Sequence, residues 1–200
     1  MIKYTSRIAA VTCALVLSAG PSFAEKISLD RLNEYINALP VVKTSFTQIN
    51  SDRSKSKGKL YLSRPGKMRF EYAPPNKALV IASAGSVAIY DDKSKNGPAI
   101  YPLKKTPLNL ILGKNVDLKS DGMVTKHIES GEYTIVIARD PKRQAQGQIQ
   151  LVFTDNPVAL RQWVITDQSR QQTTVMLGKL KEQKKLPLRL FEITKVKNSD

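Results

Sequence analysis

The chain has 200 residues, a formal net charge of +15, one cysteine and one histidine. Cys13 lies within the first 24 residues, so residues 25–200 can form neither a disulfide nor a thiolate metal site. Because His127 is the single histidine, a Ser-His pair has one candidate base, and a His/Cys metal cluster or a Cys-His pair has too few members.

The first 24 residues have the pattern of a cleaved signal peptide. Lys3 and Arg7 form a basic start, Ile8–Ala19 is an apolar run of twelve residues, and Ser22-Phe23-Ala24 places small residues where a signal peptidase reads. A membrane-spanning helix needs about 20 apolar residues, so an N-terminal anchor is the weaker alternative. We predict cleavage after Ala24, export, and a single mature domain over residues 25–200.

Cleavage would lower the net charge from +15 to +13, because Lys3 and Arg7 leave with the signal. A strongly basic chain suggests nucleic acid as a partner, but this exported chain shows no recognition helix, zinc pattern or aromatic-rich RNA-binding strand. Anionic lipid headgroups, acidic partner proteins and a plain solvated basic surface remain as interpretations of the charge.

A helix is the first predicted element of the mature chain. Ser28 is a suitable N-cap, apolar residues follow at helical spacing over Leu29–Leu39, and Pro40 ends the pattern. A second helical segment is predicted over Thr44–Gln48. The polar, basic stretch Asn50–Lys57 is predicted to be a loop.

The apolar period then changes to two, which is typical of strands. Leu60 and Leu62 share a face of one strand, Met68, Phe70 and Tyr72 share a face of the next, and an Arg64-Pro65-Gly66 turn joins them. Further strands are predicted over Leu79–Ala84, Val87–Tyr90, Met123–Glu129, Tyr133–Arg139, Gln148–Thr154, Trp163–Thr166 and Thr173–Leu177. About eight to eleven short strands with little helix indicate a mainly β fold with one antiparallel sheet, curled or closed.

One short apolar helix interrupts the strands. Thr106 is a suitable N-cap, Pro107 suits the first helical position, and Gly113 suits the position past the end. The intervening Leu108–Leu112 makes only two turns and cannot be stable alone in water. We therefore expect it to be buried at the open mouth of the sheet.

Catalytic constellations are missing from the sequence. His127, the one candidate base, lies in a period-two strand with no orienting group near it in the sequence. The clustered carboxylates that could bind a metal are limited to Asp91-Asp92, beside a turn. No Gly-rich phosphate loop follows a strand, and nothing points to paired acids for glycoside chemistry. We expect a protein that is not an enzyme and has no cofactor, no metal site and no nucleic-acid partner.

Six segments follow one another in a distinctive order: Ser45-Phe46-Thr47-Gln48, Gly58 to Pro65, Met68-Arg69-Phe70-Glu71-Tyr72 with Pro75, Val80 to Tyr90, Thr106 to Leu112, and Leu151-Val152-Phe153 with Asn156-Pro157, Leu160, Trp163 and Asp167. Taken together, they resemble the LolA family, the periplasmic carriers of outer-membrane lipoproteins. The similarity covers nearly the whole mature chain.

The resemblance implies an incomplete, half-open antiparallel β-barrel with a helical lid over an apolar cavity for acyl chains. It implies a periplasmic carrier that takes acylated lipoproteins from an inner-membrane ABC transporter and passes them to an outer-membrane receptor, LolB or an equivalent. We expect this carrier to be a monomer.

The resemblance also assigns roles to individual residues. The arginine of the family's Arg-Pro motif bonds to the lid helices and helps keep the empty carrier closed, and that role falls on Arg64 as a lid latch. The lipid cavity falls on Leu60, Leu62, Met68, Phe70, Tyr72, Leu108, Leu110, Ile111, Leu151, Phe153 and Trp163, of which Leu108, Leu110 and Ile111 belong to the lid.

The residues alone leave other interpretations open. The face formed by Met68, Phe70 and Tyr72 also suits an ordinary core, Arg64 suits a turn cap or a surface ion pair, and Leu108–Leu112 suits a static plug. Alternative functions are a carrier of free phospholipid or another amphiphile, and a periplasmic sensor or scaffold with an acidic partner. The scaffold predicts an interior filled by the protein's own side chains.

Overall fold

The computed structural model describes residues 26–91, 97–142 and 147–194, which fold around one antiparallel sheet. The predicted signal peptide, residues 1–24, lies outside the described residues, as does Asp92. The helices are α1 (Leu29–Ala38) and α2 (Asn109–Leu112), with 3₁₀ turns at Leu103–Lys105 and Leu188–Phe191. The strands are β1 (Val42–Ile49), β2 (Lys55–Ser63), β3 (Lys67–Tyr72), β4 (Leu79–Ser83), β5 (Ser86–Tyr90), β6 (Ala99–Pro102), β7 (Val124–Ser130), β8 (Tyr133–Ala138), β9 (Gln148–Thr154), β10 (Ala159–Thr166), β11 (Gln172–Leu177) and β12 (Lys181–Glu182).

Neighbouring strands in the sheet are almost all neighbours in the chain. The order is β6-β5-β4-β3-β2-β1-β11-β10-β9-β8-β7, and β12 also pairs with β1. The end strands β6 and β7 are not paired with each other, so the sheet of the described residues stays open. Buried residues from β5, β8 and β10 nevertheless join one core cluster, so the sheet curls around a shared interior. The mainly β, half-open antiparallel architecture is confirmed.

The inner face of the sheet follows from the period of two. Leu60 on β2 lies opposite Phe70 on β3, and Leu62 lies opposite Met68, and all four side chains are buried. The alternate position Lys59 is exposed. Since successive strand side chains point to opposite faces, the sequence pattern sends apolar groups inward and basic groups outward.

The predicted helical segment Thr44–Gln48 is wrong, because these residues lie within strand β1. The strand pairs with β2 on one side and with β11 on the other, and it buries Thr44 and Phe46 on its inner face. Hydrogen bonding on both sides therefore decides the conformation of a segment whose own preference is weak. For the same reason β2 begins at Lys55, inside the stretch predicted as a loop.

The predicted helix after Thr106 exists but begins later. The N-cap of α2 is Leu108, and the hydroxyl of Thr106 donates to the carbonyl of Leu103 instead of capping the helix. The backbone N–H groups of Asn109 and Leu110 donate three residues back, to Thr106 and Pro107, so the first turn has 3₁₀ character. Gly113 is the C-cap, and its N–H donates to Asn109.

Helix α1 lies across the inner face, where Leu32 and Ile36 join the core. Its predicted cap is confirmed, since the Ser28 hydroxyl accepts from the N–H of Arg31 at 3.3 Å. Arg31 also forms an ion pair with Asp155 at 3.0 Å, in the turn between β9 and β10. Among the described helices, none is both long and apolar enough to cross a membrane.

The chain end covers part of the outer face. The 3₁₀ turn Leu188–Phe191 lies against β3 and β4, and Nη1 of Arg69 donates to the carbonyl of Leu190 at 3.0 Å. Phe191 and the outward-facing Ile81 are both buried. This segment therefore hides an apolar patch that the curled sheet alone would leave in water.

Candidate functional site

The β2–β3 turn is hydrogen-bonded to the end of α2, and we call this contact the lid seam (Arg64–Gly66 with Leu112–Gly113). The N–H of Gly66 donates to the carbonyl of Leu112 at 2.8 Å. Nη2 of Arg64 donates to the carbonyl of Gly113 at 2.5 Å and lies 3.3 Å from Oδ1 of Asn37 on α1. One arginine thus connects a strand turn with both helices.

Two asparagines of α1 hold the loop that follows α2. Asn37 accepts from the N–H of Val116 at 3.0 Å and donates to its carbonyl at 2.7 Å. One turn earlier, Asn33 accepts from the N–H of Leu118 at 2.8 Å and donates to the Asp117 carboxylate at 3.2 Å. The two amides thus satisfy backbone groups of the loop in the way that a neighbouring strand would, and they attach the loop after α2 to α1.

The guanidinium of Arg64 is only partly satisfied. Among the described residues, its buried Nε and Nη1 atoms have no hydrogen-bond partner. Burial lowers the pKa of Arg64 below its ordinary value, although the group stays protonated at neutral pH. A half-buried cation with spare donors is expensive to keep in place. The burial cost of Arg64 therefore offsets part of the stabilisation from its bonds to Gly113 and Asn37.

The predicted cavity residues come together in one interior. Tyr72 and Leu108 are partly buried and pack against the core cluster. The other nine are between 0% and 7% exposed: Leu60, Leu62, Met68, Phe70, Leu110, Ile111, Leu151, Phe153 and Trp163. In this arrangement the protein's own side chains fill the region that the resemblance assigns to acyl chains.

Aromatic rings form one part of the interior wall. Phe46 packs edge-on against Phe70 and Tyr72, with ring centroids 5.0 Å and 5.1 Å apart. Trp163 packs edge-on against Phe70 from the other half of the sheet at 6.2 Å. Burial raises the pKa of Tyr72 to about 12. The interior is therefore aromatic where residues of β1, β3 and β10 meet.

The ring of His127 contacts the backbone just before α1. Its Nε2 lies 2.9 Å from the carbonyl of Ile27, and the N–H of Ile27 donates to Thr134 at 3.0 Å. Desolvation is the main cause that lowers the pKa of His127, and the nearby Lys26 adds to it. The ring of His127 therefore holds the buried Ile27 to β7, and the hydroxyl of Thr134 holds it to β8.

Asn33 and Asn37 are the site residues that sequence reasoning missed. Their contacts lie 79 to 85 residues away in the chain, so no local pattern links them to the lid. One signal was available. Two asparagines four positions apart share a helix face, and asparagine is an unfavourable residue inside a helix. Such a pair suggests side chains that bond to a neighbouring backbone.

Comparison with known proteins gives consistent relatives. A protein of Legionella pneumophila strain Paris is 28% identical, covering 86% of this chain and 88% of its own, and is described as an outer-membrane lipoprotein carrier protein. Proteins with the same description from Dechloromonas aromatica and Neisseria meningitidis are 26% and 27% identical. They cover 100% and 94% of this chain, and 97% and 92% of their own.

Solved structures with a similar chain path include an uncharacterized conserved protein from Thermus thermophilus, 13% identical with a TM-score of 0.49, covering 84% of this chain and 93% of its own. A LolA superfamily protein from Nitrosomonas europaea is 7% identical with a TM-score of 0.45, covering 83% and 98%. The family model described as "Outer membrane lipoprotein carrier protein LolA" matches residues 37–194, which is most of the sequence. The chain therefore belongs to the LolA family of outer-membrane lipoprotein carrier proteins.

Proposed function

We propose that this protein is a monomeric, non-enzymatic periplasmic carrier, exported by cleavage after Ala24, that shields the acyl chains of lipoproteins. It takes them from an inner-membrane ABC transporter and hands them to an outer-membrane receptor, LolB or an equivalent. The observation that carries the proposal is a mainly apolar interior beside helix α2, whose end is held by polar bonds at Arg64 and Gly66. Membership of the family supports the same cargo.

Such a carrier must bind acyl chains about as tightly as a membrane does. Each acyl methylene removed from water is worth about 0.8 kcal/mol, so an unshielded lipoprotein with several chains would not leave a membrane. The carrier must approach that affinity and still be bettered by the next acceptor. A difference of about 1.4 kcal/mol already changes the partition tenfold.

The bonds of the lid seam contribute a free energy that weakens cargo binding, as release requires. Its bonds form when the lid is closed over the protein's own side chains, and acyl chains can enter only if the lid moves and those side chains repack. Hydrogen bonds that a charged group makes are worth about 1.5–3 kcal/mol each. Re-forming the Arg64–Gly113 contact would oppose loading and favour release. Met68 and the leucines would repack around chains of varied shape.

The deciding experiment is lipoprotein transfer. The mature protein, incubated with inner-membrane vesicles that contain the releasing transporter and an acylated lipoprotein, is expected to bring that lipoprotein into the supernatant. A cargo variant without the lipidated cysteine is the control, since it has no acyl chains and needs no carrier. Absence of transfer, together with absence of lipoprotein on carrier purified from periplasm, would contradict the proposed function.

A second candidate is a carrier of free phospholipid or another amphiphile. A groove of about 480 Å³ beside the lid seam favours it, because its lining includes Lys67, Lys104 and Lys114 together with the apolar Leu103 and Leu112. Such lysines suit an anionic headgroup. Mass spectrometry of the lipid extracted from purified carrier separates the two, since phospholipid without lipoprotein would favour the second. An extract with neither phospholipid nor lipoprotein would favour the scaffold. That alternative predicts an interior filled by the protein's own side chains, which is the arrangement described above.

A further inference from the structure

The far end of the apolar interior can be located from strand register. Strands β2 and β3 run away from the turn Arg64–Gly66. Of their inward-facing pairs, Leu62 with Met68 is nearest to the turn and Gly58 with Tyr72 is furthest from it. Four residues separate these two layers along β2. At about 3.3 Å per residue, Tyr72 lies roughly 13 Å deeper than the layer under the lid.

At this depth the wall changes from apolar to polar. The hydroxyl of Tyr72 donates to Oε1 of Gln48 at 2.6 Å, and Nε2 of Gln48 donates to Oδ1 of Asn50 at 2.7 Å. Nδ2 of Asn50 then donates to the hydroxyl of Ser54 at 2.8 Å, in the turn between β1 and β2. A chain of three hydrogen bonds thus leads from the interior to the surface.

The polar end is built rigidly. The ring of Phe46 packs edge-on against Tyr72 and lies over Gly58, where an added Cβ would come 2.7 Å from that ring and 2.0 Å from the carbonyl oxygen of Glu71. Only a glycine leaves room for the ring at this point. The motif residues Phe46, Gln48, Gly58 and Tyr72 come from three neighbouring strands and meet here.

We propose that Tyr72 and Gln48 form a floor that sets how deeply an acyl chain enters, and that the carrier therefore selects cargo by chain length. The inference rests on the proposed carrier function and deepens it. Above the floor, the wall is mainly apolar and is formed by Leu60, Leu62, Met68 and the aromatic rings. A methyl group pushed past Tyr72 would separate its hydroxyl from Gln48 and offer no bond in return. That loss outweighs the gain from one further buried methylene.

The test uses the delipidated mature protein and synthetic diacylated cysteinyl lipopeptides that differ only in acyl length. Affinity is measured by displacement of a bound hydrophobic fluorescent dye. For the natural protein, affinity should rise about fourfold per added methylene and then stop rising at a limiting length. An affinity that rises without a limit over the series would overturn the floor.

Two variants and a matched control locate that limit. Tyr72→Ala removes the ring and hydroxyl, and Gln48→Leu removes the polar end at similar size. Each should move the limit by at least two methylenes, which makes the longer lipopeptides at least about tenfold tighter. The control is Tyr61→Ala, because Tyr61 lies on the outer face of β2, bonded to Glu71, and should leave the limit unchanged.

The possible results distinguish failure of the proposed floor from failure of the proposed carrier function. An unchanged limit in the variants that fold, judged by circular dichroism, contradicts the floor, as does an equal shift in Tyr61→Ala. If Tyr72→Ala does not fold, Gln48→Leu decides alone. A natural protein that binds no lipopeptide of any length, and takes none from inner-membrane vesicles, contradicts the carrier function itself.

Discussion

Asn37 of α1 and Arg64 of the β2–β3 turn, 27 residues apart, meet at 3.3 Å through Oδ1 and Nη2. The same Oδ1 accepts the N–H of Val116 at 3.0 Å. One amide oxygen therefore joins the first helix, a strand turn and the loop after α2. In the proposed carrier, movement of the lid would break bonds to this atom, so the Asn37–Arg64 contact is the place to perturb lid closure.

For Arg64→Leu we predict normal folding, tighter retention of cargo and poor hand-off. The variant loses the bonds to Gly113 and Asn37, which we propose favour the closed, empty state. Folding should be normal because the apolar side chain removes the cost of a half-buried cation. With about 1.5 kcal/mol or more at stake, cargo left on the carrier after incubation with outer membranes should shift about tenfold. Arg64→Lys, which keeps charge without the planar fork, should lie between. Hand-off at the natural rate would remove Arg64 from the mechanism.

For Asn37→Leu we predict a looser lid. The loop at Val116 loses two hydrogen bonds, and the buried backbone groups have no replacement partner, so the free energy of unfolding should fall by about 1–3 kcal/mol. Urea unfolding measures that change, and fluorescence of a hydrophobic dye should rise because the interior opens. Asn76→Leu, in an exposed turn with bonds to Ser56 and Ala78, is the control. A stable variant with unchanged dye binding would contradict a closing role for Asn37.

For Gly58→Ala we predict severe destabilisation. The new Cβ would lie 2.0 Å from the carbonyl oxygen of Glu71 and 2.7 Å from the ring of Phe46, and the first of these is backbone that cannot move without breaking the β2–β3 ladder. Overpacking of this kind costs about 1–3 kcal/mol or more. Urea midpoints should show the loss. The neighbouring exposed Lys59→Ala should lie within about 0.5 kcal/mol of the natural protein.

For Tyr72 we predict a specific loss of stability at alkaline pH. Its pKa is raised by burial to about 12, so the folded state favours the neutral phenol. The stabilisation is complete below the ordinary pKa of 10 and is lost as pH rises toward 12. Between about pH 9 and about pH 11 the loss should be about 1.4 kcal/mol. Urea unfolding of Tyr72→Phe should show a smaller fall over that range, and equal falls would contradict the raised pKa.

Sequence patterns predicted the parts of the fold that are local. The alternation around Leu60 and Phe70, the breaker Arg64-Pro65-Gly66 and the hairpin at Gly85 each lie within a few residues of the structure they specify. The segment Thr44–Gln48 was misjudged because two distant partners, β2 and β11, determine its conformation.

In the candidate site, too, local patterns were predictable from the sequence and contacts between distant residues were not. The apolar face of Met68, Phe70 and Tyr72 was visible in the sequence as a period of two. The asparagine contacts that hold the loop after α2 were not, since they join residues about 80 positions apart. Nor could the sequence show that the interior is filled by its own side chains, because that depends on how the two halves of the sheet meet.

The strand order has a consequence for how the protein is made. Every pairing in the path is between consecutive strands, apart from β1 with β11, and β12 also returns to β1. In a chain that pairs its strands in sequence order, β1–β6 can form as successive hairpins, but β1 keeps one open edge until residues 172–177 join the sheet. Open edges invite pairing with other chains. The first strand of the sequence is thus among the last to be paired on both sides, and until then its free edge adds to the edges that β6 and β7 keep in the sheet of the described residues.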